Sequence, residues 1–292
     1  MKKNVRFEIA KKDIIAHFDS LAGRILSLKD ISRILDDKRE FWRLSKSLTV
    51  KGFIELLLNG TILKEYVLNF PHRRIILYSW GEVPILSVAL SLNKDAYLSH
   101  YSAVFFHNLT DQIPKTIYIN VEQGEKKTTR KKLVQENIDR AFSNRQRMSN
   151  NTAVWNDYKI CILNGKFTNK LGVIETKLED KAKIFSTNVE RTLIDITVRP
   201  AYSGGVFEVL NAFRLAKEKV SINKLAATLK KLDYVYPYHQ AIGFYIERSQ
   251  SYKESQIKLL KKIPIIYDFY LAHDMKKVEY SKEWKLYYPR EF

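Results

Sequence analysis

The feature that most constrains the fold is an abrupt change of hydrophobic period in the stretch "TVKGFIELLLNGTILKEYVL", residues 49–68. Its first half has apolar residues at helical spacing, namely Val50, Phe53, Ile54 and Leu57. Gly60 follows them, where we expect a left-handed C-cap. Strand-type residues begin directly afterwards. The sequence therefore predicts a helix and a strand joined by a very short connection.

The neighbouring residues extend this unit in both directions. "RRIILYSW" predicts a second strand, joined to the first by a turn that contains Pro71, so that the pair reads as a β-hairpin. Upstream, Ile14 and Phe18 lie on one face of a predicted first helix. A second helix is predicted after Ser27, a suitable N-cap, with Asp30 in its first turn. Three short helices followed by a hairpin is the order of a winged helix-turn-helix domain.

The same geometry predicts which residues contact DNA. The apolar stripe of the third helix faces the core, so its opposite side is free to enter a major groove. The DNA-binding residues predicted on and before this helix are Arg43, Lys46, Ser47, Thr49 and Lys51. The hairpin tip adds His72, Arg73 and Arg74, and we expect the two arginines to bind phosphates. The alternative is a small lobe that packs on a larger domain or mediates association.

Charge supports a polyanionic partner. The chain of 292 residues has 50 Lys and Arg against 32 Asp and Glu, a formal net charge of +18. A charged surface that only keeps the protein in solution would have the same composition. No signal-peptide pattern and no membrane-spanning apolar run is present, so we expect a cytoplasmic protein without membrane contact. Cys161 is the only cysteine, and "YKICIL" predicts it in a buried strand.

The remainder of the chain predicts a second domain of mixed composition. The end of the hairpin places the boundary near residue 80, which gives a winged-helix domain at 1–80 and a mixed α/β domain at 81–292. The overall class is α+β, with a helical C-terminal half. We expect a tight turn at Asn164-Gly165. A basic region of this domain is a candidate for a second anionic contact, through Lys126, Lys127, Arg130, Lys131, Lys132, Arg145 and Arg147.

Two segments of the larger domain are similar to a known family. "YLSHYSAVFFHNLTDQIPKTIYI" and "ERTLIDITVRPAYSGGVFEVLNAF", behind a basic winged helix, resemble the AbiEi antitoxins of type IV toxin–antitoxin systems. The resemblance implies a transcriptional autorepressor that binds double-stranded operator DNA. It also implies that the larger domain counteracts a nucleotidyltransferase-like toxin encoded beside it.

Individual residues of this domain suggest mainly structural roles. His100 and His107 would share a helical face, but no acid or cysteine completes a ligand set, so no metal site and no cofactor is predicted. Arg191 and Asp195 are spaced for an ion pair across one helical turn. "SGG" at residues 203–205 could bind an anion through backbone N–H groups, although a tight turn between helices is the expected reading.

An enzyme of another class is the alternative function. Asp157 with Glu175 and Lys177 matches the Asp and Glu-x-Lys arrangement of many metal-dependent nucleases, in which the acids hold a cation and the lysine stabilises developing charge. Such letters also arise by chance on an exposed strand of a lysine-rich chain. We therefore expect a DNA-binding antitoxin without catalytic activity.

Overall fold

The computed structural model describes residues 2–125, 132–177 and 183–292, and its architecture is mixed α and β. The chain forms two compact units. The first extends to Lys94 and also includes residues 151–159; the second consists of residues 95–150 and 160–292. The first unit is thus longer than the predicted 1–80 domain, because a fourth helix and a distant segment belong to it.

The first unit begins with helices and continues as a hairpin. Its elements up to Lys94 are α1 Lys2–Asp19, β1 Ile25–Ser27, α2 Leu28–Lys38, α3 Val50–Gly60, β2 Leu63–Phe70, β3 Arg73–Trp80 and α4 Ile85–Ser91. The three strands form a sheet of order β1-β3-β2 in which both pairs are antiparallel. The predicted hairpin is confirmed: Phe70 pairs with Arg73, and Leu63 pairs with Trp80 at the other end.

The start of α2 is fixed by a reciprocal cap. The backbone N–H of Asp30 donates to Ser27 Oγ at 3.3 Å, and the N–H of Ser27 donates to the Asp30 carboxylate at 2.9 Å. The N–H groups of Ser27 and Asp30, which have no partner within the helix, are satisfied in this way. The predicted cap at Ser27 is confirmed.

An aromatic core holds the helices of the first unit against the sheet. Phe7 of α1 meets Phe53 of α3 edge to face, with ring centroids 6.3 Å apart. Phe18 stacks on Trp80 of β3 at 4.7 Å, and the Trp80 indole N–H donates to Asp19 at 2.6 Å. These ring contacts therefore hold α1, α3 and β3 together.

The predicted left-handed cap at Gly60 is wrong. Gly60 is the last residue of α3, and Thr61 caps the helix in an extended conformation, with its N–H and hydroxyl donating to the Leu57 carbonyl at 2.9 and 2.6 Å. A Cβ at Gly60 would lie 3.1 Å from Cε1 of Phe7. The absence of a side chain at Gly60 therefore permits the close approach of Phe7 of α1. The extended conformation of Thr61 leads the chain from the helix toward β2.

The second unit combines a sheet with a helical half. The elements after Lys94 are β4 Tyr97–Leu98, α5 His100–Phe106, β5 Thr116–Glu122, α6 Gln135–Phe142, β6 Thr152–Trp155, β7 Tyr158–Gly165, β8 Val173–Lys177, β9 Lys183–Thr187, α7 Val189–Val198, α8 Val206–Leu215, α9 Ile222–Leu232, α10 Tyr238–Arg248, α11 Glu254–Lys261, β10 Phe269–Tyr270, β11 Val278–Ser281 and β12 Leu286–Pro289. Of these, β6 belongs to the first unit, where Trp155 packs on Tyr66 with centroids 4.6 Å apart.

The sheet of the second unit orders its strands β7-β5-β4-β9-β8. β4 pairs antiparallel with β5 and parallel with β9, which places the start of α5 beside the centre of the sheet. Asn164-Gly165 is the end of β7, so the predicted turn there is wrong. A Cβ at Gly165 would lie 2.5 Å from Asn120 Oδ1. Here too the glycine permits a close approach.

The helices α7 to α10 supply most of the core of the second unit, with Leu193, Phe213, Ile242 and Tyr245 fully buried. The small sheet β10-β12-β11, which the sequence analysis did not predict, packs Trp284 and Leu286 into the same core. Cys161 is buried in β7, as predicted. Within the described ranges, no helix has the length and apolar character needed to cross a bilayer.

Candidate nucleic-acid interface

The connection between α2 and α3 is shaped by Arg39, just after α2. Its Nη1 donates to the carbonyls of Ser45 at 2.7 Å and Leu48 at 2.9 Å. Trp42, Leu44 and Leu48 anchor the same connection in the core. The loop is therefore a fixed structure, although it contains no regular secondary structure.

Three of the predicted DNA-binding residues lie on this loop. Arg43, Lys46 and Ser47 are all exposed, and Arg43 has a positive φ of 51°. Trp42 and Leu44 on either side of Arg43 point into the core, so the arginine side chain is directed to solvent. Ser47 is held by Ser45, whose Oγ lies 2.9 Å from Ser47 Oγ.

The other two predicted residues lie at the start of α3. Thr49 is the N-cap, and its hydroxyl accepts the Gly52 N–H at 3.1 Å. Lys51 is exposed in the first turn. The first turn of α3 has no acidic residue, and the sequence from Phe41 to Ile54 contains neither Asp nor Glu. The positive end of the helix dipole is consequently not compensated locally.

The hairpin tip carries the remaining predicted residues. Pro71 and His72 form the two-residue turn between β2 and β3, and both are exposed. Arg73 and Arg74 begin β3, with the Arg73 guanidinium 5.6 Å from the centroid of the Phe70 ring. The predicted DNA-binding residues around the start of α3 and those at the hairpin tip both belong to the first unit and lie on separate segments of it.

The cations of this region have no acidic partners. Ion pairs do form elsewhere on the unit, for example between Arg33 and Asp30 at 3.2 Å. In the part of the chain that the structure describes, no ion pair involves Arg43, Lys46, Lys51, Arg73 or Arg74. These five side chains can therefore bind an external anion without first breaking an internal bond.

The second predicted anionic contact is described only in part. Lys126, Lys127, Arg130 and Lys131 lie outside the described residues. Lys132, Arg145 and Arg147 are exposed, and Arg145 pairs with Asp274 at 3.3 Å. One of the three described cations is thus already engaged.

The two histidines considered as metal ligands, His100 and His107, have internal partners. His107 donates from Nε2 to the Thr187 carbonyl at 2.5 Å, and His100 Nδ1 lies 3.0 Å from Ser99 Oγ. Burial is the main cause that lowers the pKa of both rings, to about 3 for His100. Neutral, partnered rings of this kind support packing.

The segment from α7 to α8 also has structural roles. Arg191 Nε contacts Asp195 Oδ1 at 2.7 Å, and both side chains are buried, so the predicted pair is confirmed. Burial disfavours the charge of Arg191, but the Asp195 carboxylate together with Tyr234 and Tyr97 raises the arginine pKa. At residues 203–205, the N–H groups of Ser203 and Gly205 donate to the Pro200 carbonyl at 2.8 and 2.9 Å. These donors close a tight turn and are not available to an anion.

The nuclease alternative has no assembled site among the described residues. Asp157 is exposed in the first unit, whereas Glu175 lies on β8 of the second and pairs with Lys183 at 2.9 Å. The side chain of Lys177 lies outside the described part. In the described ranges, no group of three or more His, Cys, Asp or Glu side chains could hold a metal ion.

Sequence reasoning missed Arg39, which does not face solvent but holds the loop that carries Arg43, Lys46 and Ser47. The charge of Arg39 does not indicate this role, because the two carbonyls that it binds follow six and nine residues later in the chain. A single arginine just past a helix, before a loop with alternating buried residues, is a pattern that could have suggested it.

Comparisons with known proteins give a fold and no function. No family model matches the sequence, and no curated protein matches it. The chain is similar to a solved structure, the crystal structure of the RV2827C protein from Mycobacterium tuberculosis, with a TM-score of 0.60 and 11% sequence identity. The match covers 96% of this chain and 91% of that chain. At this identity the similarity concerns the fold alone.

Proposed function

We propose that the protein is an antitoxin and transcriptional autorepressor without catalytic activity, which acts in the cytoplasm. In this proposal the first unit is a winged helix-turn-helix that binds operator DNA, with α3 as the recognition helix and the β2–β3 hairpin as the wing. The observation that carries it is the set of exposed, unpaired cations at the start of α3 and at the hairpin tip.

The start of α3 has the properties that a major groove requires. Arg43 and Lys46 precede α3 and Lys51 lies in its first turn, which lacks acidic residues, so phosphate and base-edge acceptors would meet both cations and backbone N–H groups. Lys46 and Lys51 can donate to guanine O6 and N7, and Ser47 can contact a base edge or a phosphate.

The hairpin is long enough to reach the same duplex. Only Thr61 and Ile62 separate α3 from β2, and the two elements pack on each other. The eleven residues of α3 span about 16 Å, and the eight of β2 span about 26 Å. A strand that returns along the helix would carry Arg73 and Arg74 past the helix N-terminus, where they would bind phosphates.

The antitoxin part of the proposal rests on the resemblance to the AbiEi antitoxins. The two similar segments form β4 to β5 and α7 to α8, and residues of α5, α7 and α8 belong to the main core of the larger unit. The resemblance therefore concerns the framework of this unit. In the proposal its partner is a nucleotidyltransferase-like toxin encoded beside it.

Binding of the full-length protein to its own upstream DNA tests the first part. We expect affinity to fall steeply with salt, because docking releases counterions from several phosphates. Arg73→Ala or Arg74→Ala should weaken binding to operator and random DNA alike, and lower the salt slope by about one. Lys46→Ala or Lys51→Ala should instead reduce the preference for operator by about tenfold.

Lys12→Ala is the matched control, since Lys12 is exposed on α1 and outside the proposed interface. Electrophoretic shifts and fluorescence anisotropy on both DNAs measure the effects. Equal losses on operator and random DNA for all four variants would contradict the division between readout and positioning. An unchanged affinity in all four would contradict the interface itself.

A further inference from the structure

A cavity of about 610 Å³ opens in the second unit, away from the residues discussed above. It lies between α9, the segment that leads into α10, and the end of α11. A volume of this size accommodates a small organic molecule.

One wall of the cavity is aromatic. Tyr234, Tyr236 and Tyr238 alternate along the segment that leads into α10, whose first residue is Tyr238, and all three line the cavity. Neighbouring rings fix them: Tyr238 meets Tyr234 edge to face at 5.4 Å, and Tyr236 meets Phe142 at 5.3 Å. Rings that are already immobile lose little entropy when a flat ligand contacts them.

His239 also lines the cavity. Burial lowers the pKa of this ring, so the ring is neutral. Its Nε2 is buried and has no hydrogen-bond partner within the described chain. A ligand in the cavity cannot reach so buried an atom, so His239 contributes shape to the wall and no hydrogen bond is assigned to it.

The rim of the cavity is positively charged. Lys230, in the last turn of α9, and Lys262, just after α11, are both exposed lining residues. Neither forms an ion pair with a described residue. Asp233 is the acidic residue of the lining, so the two lysines leave a net positive rim. A flat ligand with an anionic group fits these surroundings.

We propose that this cavity binds a nucleoside phosphate. The base packs on the tyrosine wall, and the phosphates bind Lys230 and Lys262. A free sugar phosphate lacks the flat ring, and an uncharged aromatic molecule leaves the lysines unused. The site is separate from the proposed DNA interface, so either proposal can fail alone.

Isothermal titration of the full-length protein with ADP tests the proposal. We expect saturable binding at one site, and binding of adenosine and of pyrophosphate that is at least about tenfold weaker for each, because each probe retains only part of the contacts. An absence of ADP binding at millimolar concentrations would overturn the proposal. Equal binding of pyrophosphate and ADP would overturn the role of the tyrosine wall and reduce the site to an anion site.

Two kinds of variant locate the site. Ala227→Trp, from an exposed lining position of α9, should fill the cavity and abolish ADP binding, whereas Asn223→Trp on the same helix should not. Combined Lys230→Ala and Lys262→Ala should weaken ADP binding more than tenfold and leave adenosine binding unchanged. Lys231→Ala, the exposed neighbour that does not line the cavity, is the control. ADP binding that survives both the tryptophan and the double-lysine variant would place the nucleotide elsewhere and refute the site.

Discussion

Arg39 shows how one side chain can matter for binding without a proposed contact to DNA. Its guanidinium bridges the carbonyls of Ser45 and Leu48, and thereby fixes the loop that carries three of the candidate DNA-binding residues. Both bonds come from one nitrogen, Nη1, and a lysine side chain is one bond shorter, so its ammonium would not reach the point between the two carbonyls. The geometry of the loop therefore depends on the chemistry of this residue.

We predict that Arg39→Lys lowers the free energy of unfolding by about 1–2 kcal/mol and weakens operator binding, because the shorter side chain cannot hold both carbonyls of the loop. Urea denaturation and anisotropy titration measure the two effects. Arg33→Lys is the control, since Arg33 is 73% exposed and makes only a surface ion pair. A variant with reduced stability but wild-type operator affinity would show that the loop keeps its shape without Arg39.

Asp30 couples the start of α2 to pH. Hydrogen bonds from Ser27 hold the pKa of Asp30 below its ordinary value of 3.8. The stability that the ionised carboxylate contributes is therefore complete above that value and is lost as the pH falls through the lower folded pKa.

We expect Asp30→Asn to cost about 1 kcal/mol at neutral pH and progressively less below about pH 4. Urea denaturation of both proteins from neutral pH to about pH 3 measures the difference. A cost that stays constant over this range would mean that the charge of Asp30 contributes nothing to the cap.

At the scale of elements, α10 and the C-terminal sheet depend on one glycine. A Cβ at Gly243 would lie 2.1 Å from the ring of Trp284, which is fully buried. The indole N–H donates to Glu247 at 2.8 Å, one turn further along α10, so the ring cannot move without losing this bond. The glycine is therefore required by packing, at the expense of helix propensity.

We predict that Gly243→Ala lowers the stability of the protein by about 3 kcal/mol, despite the higher helix propensity of alanine. Thermal unfolding measures it. Gly23→Ala is the matched control, because a Cβ there has no atom within 4 Å and should be neutral or slightly stabilising. Equal effects of the two substitutions would show that Trp284 accommodates the methyl group.

The elements that the sequence predicted are those whose signals are local. The hairpin, the Ser27 cap and the Arg191–Asp195 pair each depend on residues close together in the chain, and all three are confirmed. Gly60 was predicted as a helix C-cap and Gly165 as a turn residue, whereas each permits the approach of a distant side chain, Phe7 or Asn120. Sequence periodicity contains no information about such contacts.

The features of the candidate site also divide into those that local sequence signals indicate and those that depend on packing. Exposure of Lys51 follows from the helical stripe of α3 and that of Arg73 and Arg74 from the hairpin turn, both of which are local. Arg43 and Lys46 lie instead on the loop that Arg39 holds, and the sequence did not predict the shape of this loop. The inclusion of Trp155 in the first unit and the cavity beside Tyr236 arise from tertiary packing, and no pattern in the chain indicates them.

At the scale of the whole molecule, the two compact units suggest that the two proposed activities are separable. The proposed DNA contacts lie in the first unit, whereas the segments that resemble the antitoxin family lie in the second. Because residues 151–159 belong to the first unit, a cut near residue 80 or Lys94 would remove part of its packing, including the Tyr66–Trp155 contact. Point substitutions in the full chain therefore separate the activities more cleanly than fragments do.

We predict that the full-length Arg73→Ala/Arg74→Ala variant loses operator binding but still protects cells from the toxin, since both side chains are exposed at the hairpin tip and support no internal ion pair in the described chain. Toxin and antitoxin are expressed from unrelated inducible promoters, so that lost autorepression does not change their amounts, and growth is measured. Lys12→Ala is the control for surface substitution. If the double variant accumulates and unfolds at the wild-type temperature yet fails to restore growth, protection depends on DNA binding, and the assignment of antitoxicity to the second unit is wrong.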